Sequence, residues 1–375
     1  MRICVLGTHS FRAPGPKIGT QHIAQTLARR GHEVHYLTSQ ASAATLILPG
    51  HRRKYLRSFQ RVLVEPGLLE VTPVAPLPAR ALLRLERGPF GAPLTFLTRR
   101  LERTRHRFVE RQTYDVCVFS AAANMTLLPR INAHRYVYRQ NDLLREFAAV
   151  PESLLRFERH VLRDVALERV CPVNERLAEF CRSVNPALPI LVVPNGLDLA
   201  LFDRAVPDAT LAATREANVV YVGAVEFWVD VELILRTAEL MPDRRFHVFG
   251  PWHVRRPTSL PANVTLHGPI AHDAVPAVMR ACSVGIIPSS AANAPRMVEK
   301  PLKFYEYLAA GLGVAATPFA GEGLAPLAEV GGTPGEFAAA IERAAAGRHR
   351  LGDAIRAAVE PLDWSVLVPR IVPGA

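Results

Sequence analysis

Short apolar runs alternate along this chain with stretches whose apolar positions recur at the helical period. Residues 3–6, 33–38, 114–120 and 135–139 read as strands with little polar alternation, the pattern of strands covered on both faces. Between the first two, residues 20–30 place Ile23, Ala24, Leu27 and Ala28 on one helical face, and Gly31 closes that helix. The alternation continues with a helix over 151–170, a strand over 170–173 and a helix over 174–182. After a turn at Pro194-Asn195-Gly196 and a polar linker over 203–217, a strand ends at Gly223 and a helix starts at Val231. Strands at 245–250, 263–268, 284–287 and from Val314, with helices over 301–310, 333–346 and 352–360, complete the pattern. Strand, helix, strand order predicts an α/β fold built on doubly wound parallel sheets. Its 375 residues suffice for two domains, which we divide at the Asn195 turn: 1–195 and 196–352, with 353–375 as a tail packing back on the first.

Residues 40–112 break the rhythm. They carry repeated prolines, a strand over 61–64 or 69–74, and a helix over 94–111. Charge changes the picture here. The chain has a formal net charge of +11, and residues 51–111 hold 14 basic side chains against five acidic ones, so most of the excess sits in one segment. Its arginines alternate with Leu and Phe, a mix suited to an anionic membrane surface or an anionic acceptor. Nucleic acid is the disfavoured rival, since no nucleic-acid motif accompanies the charge. Five cysteines without a C-x-x-C pair lie mostly in apolar runs, as reduced core residues of a cytosolic protein; no zinc site is expected. No segment has the length of a membrane span, so membrane contact is expected to be peripheral, from the cytoplasmic side.

The most informative chemistry lies in 283–318. An apolar strand stops at Pro288, a polar loop follows, and a helix begins at Pro301 with Leu302, Tyr305, Leu308 and Ala309 on one face. Only four lysines occur in the chain, and two of them, Lys300 and Lys303, fall here. An ammonium in the first turn of a helix, at the carboxyl edge of a parallel sheet, suits a pyrophosphate. Glu306 stands one turn on. It either accepts from ribose hydroxyls or pairs with Lys303 across i, i+3 on a solvated face. Asp142 follows a strand and precedes a helical stretch, as an N-cap or as a cleft carboxylate able to take a proton from a hydroxyl. Asp230 has the same two readings, with the N-cap the simpler. Gly7, Gly15 and Gly19 do not fit G-x-G-x-x-G, which disfavours a dinucleotide-dependent dehydrogenase.

The phrases L-A-R-R-G-H-E-V, V-P-N-G-L-D, Y-V-G-A and P-L-K-F-Y-E-Y-L-A-A-G occur in this order, and together they resemble glycosyltransferases of the GT-B architecture. The resemblance implies two Rossmann-like domains facing across a cleft, an acceptor-binding first domain, a second domain that binds a nucleotide-sugar donor, and no metal or other cofactor. It assigns Lys303 to the donor pyrophosphate and Glu306 to the ribose. Gly223, Pro251, Asp230, Arg296 and Met297 are then expected to line the donor site. Y-R-Q-N-D resembles the catalytic-base segment of the xanthan-pathway glucuronosyltransferase family, which implies Asp142 as general base and UDP-glucuronate as donor. Many retaining members carry a Glu eight residues before the ribose-binding one; Val298 stands there, which points to inversion. A lipid-linked glycan is the expected acceptor, reached through the arginine-rich segment. A nucleotide-sugar epimerase or phosphorylase of the same architecture, a retaining transferase using a GDP- or UDP-hexose, and a non-catalytic membrane-binding protein are the alternatives.

Overall fold

The computed structural model describes residues 1–12, 17–38, 41–42, 61–72, 74–75, 111–120, 123–146, 150, 152–290, 301–321, 323–350 and 352–375. The expected helix over 94–111 and most of the arginine-rich segment lie outside them. The described chain forms two compact units. The first comprises Lys17–Asn195 with the first strand and Trp364–Ala375; the second comprises Gly196–Asp363. Of the expected tail, only the residues from Trp364 onward belong to the first unit, because Gly352–Val359 packs in the core of the second.

In the first unit, β1 (Arg2–Leu6), β2 (Glu33–Leu37), β4 (Val62–Glu65), β5 (Leu68–Val71), β7 (Thr113–Ser120), β8 (Asn132–Gln140) and β9 (Arg169–Pro172) form one sheet. Their order is β4-β5-β2-β1-β7-β8-β9, parallel throughout except for the β4–β5 hairpin. The stretch read as one strand or another between 61 and 74 is thus both. Two-residue strands β3 (Ala41–Ser42) and β6 (Val74–Ala75) pair apart from this sheet. Both faces of the sheet are covered, which is why its strands are apolar without alternation. On one face Ile3, Val5, Val34, Val116 and Val118 meet Ile23 and Leu27 of α1 (Gly19–Arg29) and Trp364, Leu367 and Ile371 of the C-terminal helix. On the other, Cys4, Leu6, Cys117, Phe119 and Tyr138 meet Leu154, Val161 and Leu162 of α2 (Glu152–Asp164). The helix expected to run to residue 170 stops at Asp164, since β9 needs Arg169 to join the sheet. Asn174 caps α3 (Glu175–Val184) by accepting from Leu177 N at 3.0 Å.

The second unit is a six-stranded parallel sheet in the order β12-β11-β10-β13-β14-β15. These are β10 (Asn218–Val222), β11 (Arg245–Phe249), β12 (Val264–Gly268), β13 (Val284–Ile287), β14 (Gly313–Ala316) and β15 (Glu329–Val330). One face packs on α4 (Val231–Leu240) and α6 (Pro334–Gly347) through Leu233, Ile234, Phe337 and Ile341. The other packs on α5 (Leu302–Ala309) and α7 (Gly352–Val359) through Phe304, Tyr307, Leu308 and Val359. The C-terminal helix of the chain is α8 (Trp364–Ile371). Among the described residues no helix is long and apolar enough to cross a membrane. All five cysteines are free and buried.

Candidate active site

In the second unit the strand order reverses beside β10, with β11 on one side and β13 on the other. Open parallel sheets bind ligands outside the carboxyl ends of strands at such a reversal. The chain leaves β10 at Gly223, whose φ of 145° disfavours any side chain. Its N–H donates to the Phe249 carbonyl at 2.9 Å, and Val225 N donates to the Pro251 carbonyl at 2.8 Å, so the loops after β10 and β11 are zipped together. Gly250 abuts Gly223 so closely that a Cβ there would overlap the Gly223 carbonyl. On the far side of the reversal, Asp230 N donates to the Pro288 carbonyl at 2.7 Å and Ser290 N to the Trp228 carbonyl at 2.8 Å. Backbone bonds therefore fix the mouth of the sheet.

Lys303 reaches into this mouth from the first turn of α5. Its Nζ donates to the Tyr221 hydroxyl at 3.0 Å and lies 4.2 Å from the centre of that ring. A Cβ at Gly223 would come within 2.9 Å of the same nitrogen. Tyr221 is buried and passes its own proton to the Ala224 carbonyl at 2.8 Å, leaving its oxygen to receive the ammonium. Pro301 starts the helix and no side chain caps it. The solvated-face alternative for Glu306 requires an ion pair with Lys303. None forms: among the described residues the Glu306 carboxyl has neither an ion pair nor a hydrogen bond. The residue as a whole is half-buried, yet desolvation pushes its carboxyl up to about 7, against a smaller downward pull from Lys303. A held ammonium and an unpartnered carboxyl thus stand one helical turn apart at the carboxyl edge of the sheet.

Residues 216–346 match the family described as Glycosyl transferases group 1. The second unit thus carries a glycosyltransferase group 1 domain. No curated protein matches the sequence. Among solved structures, the chain is similar to sucrose-phosphate synthase from Thermosynechococcus elongatus at 17% identity and a TM-score of 0.66, covering 98% of this chain and 96% of that one. It is similar to Anabaena HepE in complex with UDP and glucose at 15% identity and a TM-score of 0.57, over 99% and 95% of the two chains. WaaG, a glycosyltransferase involved in lipopolysaccharide biosynthesis, aligns at 12% identity and a TM-score of 0.57 over 100% of both. At these identities the likeness establishes the fold: two parallel-sheet, Rossmann-like units in the GT-B manner.

The remaining expected site residues divide three ways. Arg296 and Met297 lie outside the described residues, as does Val298. Pro251 is exposed and takes part through its carbonyl, which holds Val225. Asp230 caps α4, accepting from Leu233 N at 2.9 Å, so one of its oxygens is committed to the helix rather than to a ligand. In the first unit, Asp142 caps nothing among the described residues, and the helical stretch after it is a single 3-10 turn, Leu144–Glu146. It is exposed and desolvation alone pushes its carboxyl above the usual range, with no cation among the described residues to hold it down. Beneath it, Arg139 is 1% exposed and donates to the carbonyls of Cys171, Val193 and Pro194 and to Asn195 Oδ1, which clamps the last segment of the first unit to the end of β8. Sequence reasoning missed two side chains, Tyr221 and Tyr307. Tyr307 accepts from Val222 N at 3.0 Å and so ties α5 to the end of β10. An aromatic two residues before the Y-V-G glycine, and another four residues after Lys303, were the available signals.

Proposed function

We propose that this glycosyltransferase moves a sugar from a nucleoside diphosphate to a hydroxyl of a glycan acceptor, with uridine diphosphate as the leaving group. The observation that carries the proposal is the Lys303 ammonium held against the Gly223 turn while Glu306, one turn away, has no partner among the described residues. An ammonium there offsets the charge that develops on a departing diphosphate. An unpartnered carboxylate suits a ribose diol, which offers two donors and costs less to desolvate than a charge. The neighbour solved with UDP and glucose supports the uridine nucleotide.

In the first unit Asp142 takes the proton of the attacking hydroxyl. The acceptor oxygen bonds to the anomeric carbon as the bond from that carbon to the diphosphate oxygen breaks, and the electron pair leaves with the diphosphate. A carboxylate whose pKa is raised by desolvation is a better base than an ordinary surface Asp. The transfer is inverting, since Val298 stands where many retaining enzymes carry a Glu. Glucuronate is the sugar to test first, on the Y-R-Q-N-D resemblance, and a lipid-linked glycan the first acceptor, on the charge of residues 51–111.

The test is acceptor-dependent release of UDP by wild type and Asp142→Asn, with the anomeric configuration of the product read by NMR. The asparagine variant is expected to lose transfer by at least about a hundredfold while binding UDP as wild type does. Near-normal turnover in that variant removes Asp142 from the mechanism. Conversion of the donor without any acceptor would instead favour an epimerase.

A further inference from the structure

Residues 8–12 form the loop after β1, and two buried side chains fasten it from below. Tyr36 of β2 runs under Gly7, where a Cβ would overlap its ring, and its hydroxyl donates to the His9 carbonyl at 2.9 Å. The Phe11 ring packs edge-on against it at 4.9 Å. Glu70, the register partner of Tyr36 on β5, is 4% exposed. It accepts from the Ser10 hydroxyl at 2.6 Å and from Phe11 N at 2.7 Å, and Ser10 Oγ accepts in turn from Arg12 N at 3.1 Å. Among the described residues no cation pairs with Glu70, so the loop alone supplies the donors that make its burial tolerable.

A buried carboxylate on a strand is a costly way to hold a surface loop, and this loop occupies a particular place. β1 lies between β2 and β7, where the order of the first sheet reverses, the same relation that Gly223 has to the second sheet. His9 and Arg12 are the exposed side chains of this loop, and His9 is the one nearer the end of β1. Its Nδ1 lies 2.9 Å from Thr8 Oγ1, which orients the ring, and Nε2 makes no hydrogen bond among the described residues. We propose that Glu70 is a positioning residue: it fixes residues 8–12 so that His9 Nε2 meets a hydroxyl of the acceptor. The link from Glu70 to His9 rests on the loop alone; the hydroxyl it serves rests on the sugar-transfer reading above.

Two measurements test it. In steady-state kinetics, Glu70→Gln keeps shape and loses one acceptor oxygen, so the Phe11 N–H or the Ser10 hydroxyl goes unmet. Glu70→Gln and His9→Ala should each raise the acceptor KM about tenfold with kcat changed much less, and the double variant should be no worse than His9→Ala alone. Effects that multiply in the double variant would overturn the proposal, because Glu70 would then act independently of His9. The second measurement needs no activity. In NMR spectra of histidine-labelled protein, with the His9 ring assigned from His9→Ala, Glu70→Gln should move the His9 signal and leave the other histidines in place; an unmoved His9 signal would overturn the proposal equally. Should Glu70→Gln not fold, Ser10→Ala removes one of the two bonds and serves in both measurements. UDP affinity, a property of the second unit, is expected to stay at the wild-type value throughout. A wild type that binds no UDP contradicts the sugar-transfer reading, and the NMR comparison still decides the role of Glu70.

Discussion

Desolvating the Glu306 carboxyl, which has no partner among the described residues, makes stability depend on pH. Its carboxyl is raised in the folded chain to about 7 from an ordinary 4.5, so the unfolded chain gives up this proton first. The folded state is therefore favoured by this group below about 4.5, and that advantage is lost as pH rises to about 7. Glu306→Gln, which carries no charge at any pH, is expected to melt higher than wild type at pH 8, with the difference shrinking toward pH 5. Thermal melts at the two pH values check this; an equal difference at both would place the carboxyl in water. The residue type and spacing were legible in the sequence, since two of four lysines in one motif already mark it. What spacing could not decide was whether Lys303 turns to Glu306 or to the sheet. Tyr221 decides it, from 82 residues away in sequence. Asp230 shows the converse: of its two readings, N-cap and donor-site carboxylate, the structure shows the N-cap, which takes one of its oxygens.

At the level of elements, strands were easier to read than helix faces. A strand buried on both sides advertises itself as an unbroken apolar run, whereas an eight-residue helix such as α5 offers more than one apolar stripe. Sequence reasoning chose Leu302, Tyr305, Leu308 and Ala309; the buried face is Phe304, Tyr307 and Leu308, and Leu302 is 37% exposed. The reason lies in β13. Gly285 leaves room for the Tyr307 ring to lie flat on the strand, and a Cβ at Gly285 would overlap that ring. Gly285→Ala is accordingly expected to destabilise by roughly 1–3 kcal/mol through overpacking, and to disturb the Tyr307 bond that ties α5 to Val222. A shift in the urea midpoint measures the first effect. An unchanged midpoint would mean that helix and strand are less tightly joined than described.

Across the whole molecule, the alternation of strand and helix was sufficient for the fold class, and the Pro194-Asn195-Gly196 turn for the point where the first unit gives way to the second. The return of the chain to the first unit was legible in kind but displaced in place. It occurs at Trp364, because Gly352–Val359 still has apolar partners in the second core. Nothing in local periodicity marks such a crossing, which depends on which core has space left. The first unit carries Asp142 and the Glu70-braced loop, the second carries Lys303 and Glu306, and each set stands at the carboxyl edge of its own sheet. The claim on which the functional reading depends is that the Lys303 ammonium receives the diphosphate. Titration calorimetry of UDP into wild type and Lys303→Ala tests it most directly. Loss of one charge-assisted contact should weaken binding by about ten- to a hundredfold; equal affinity in the two proteins would contradict it.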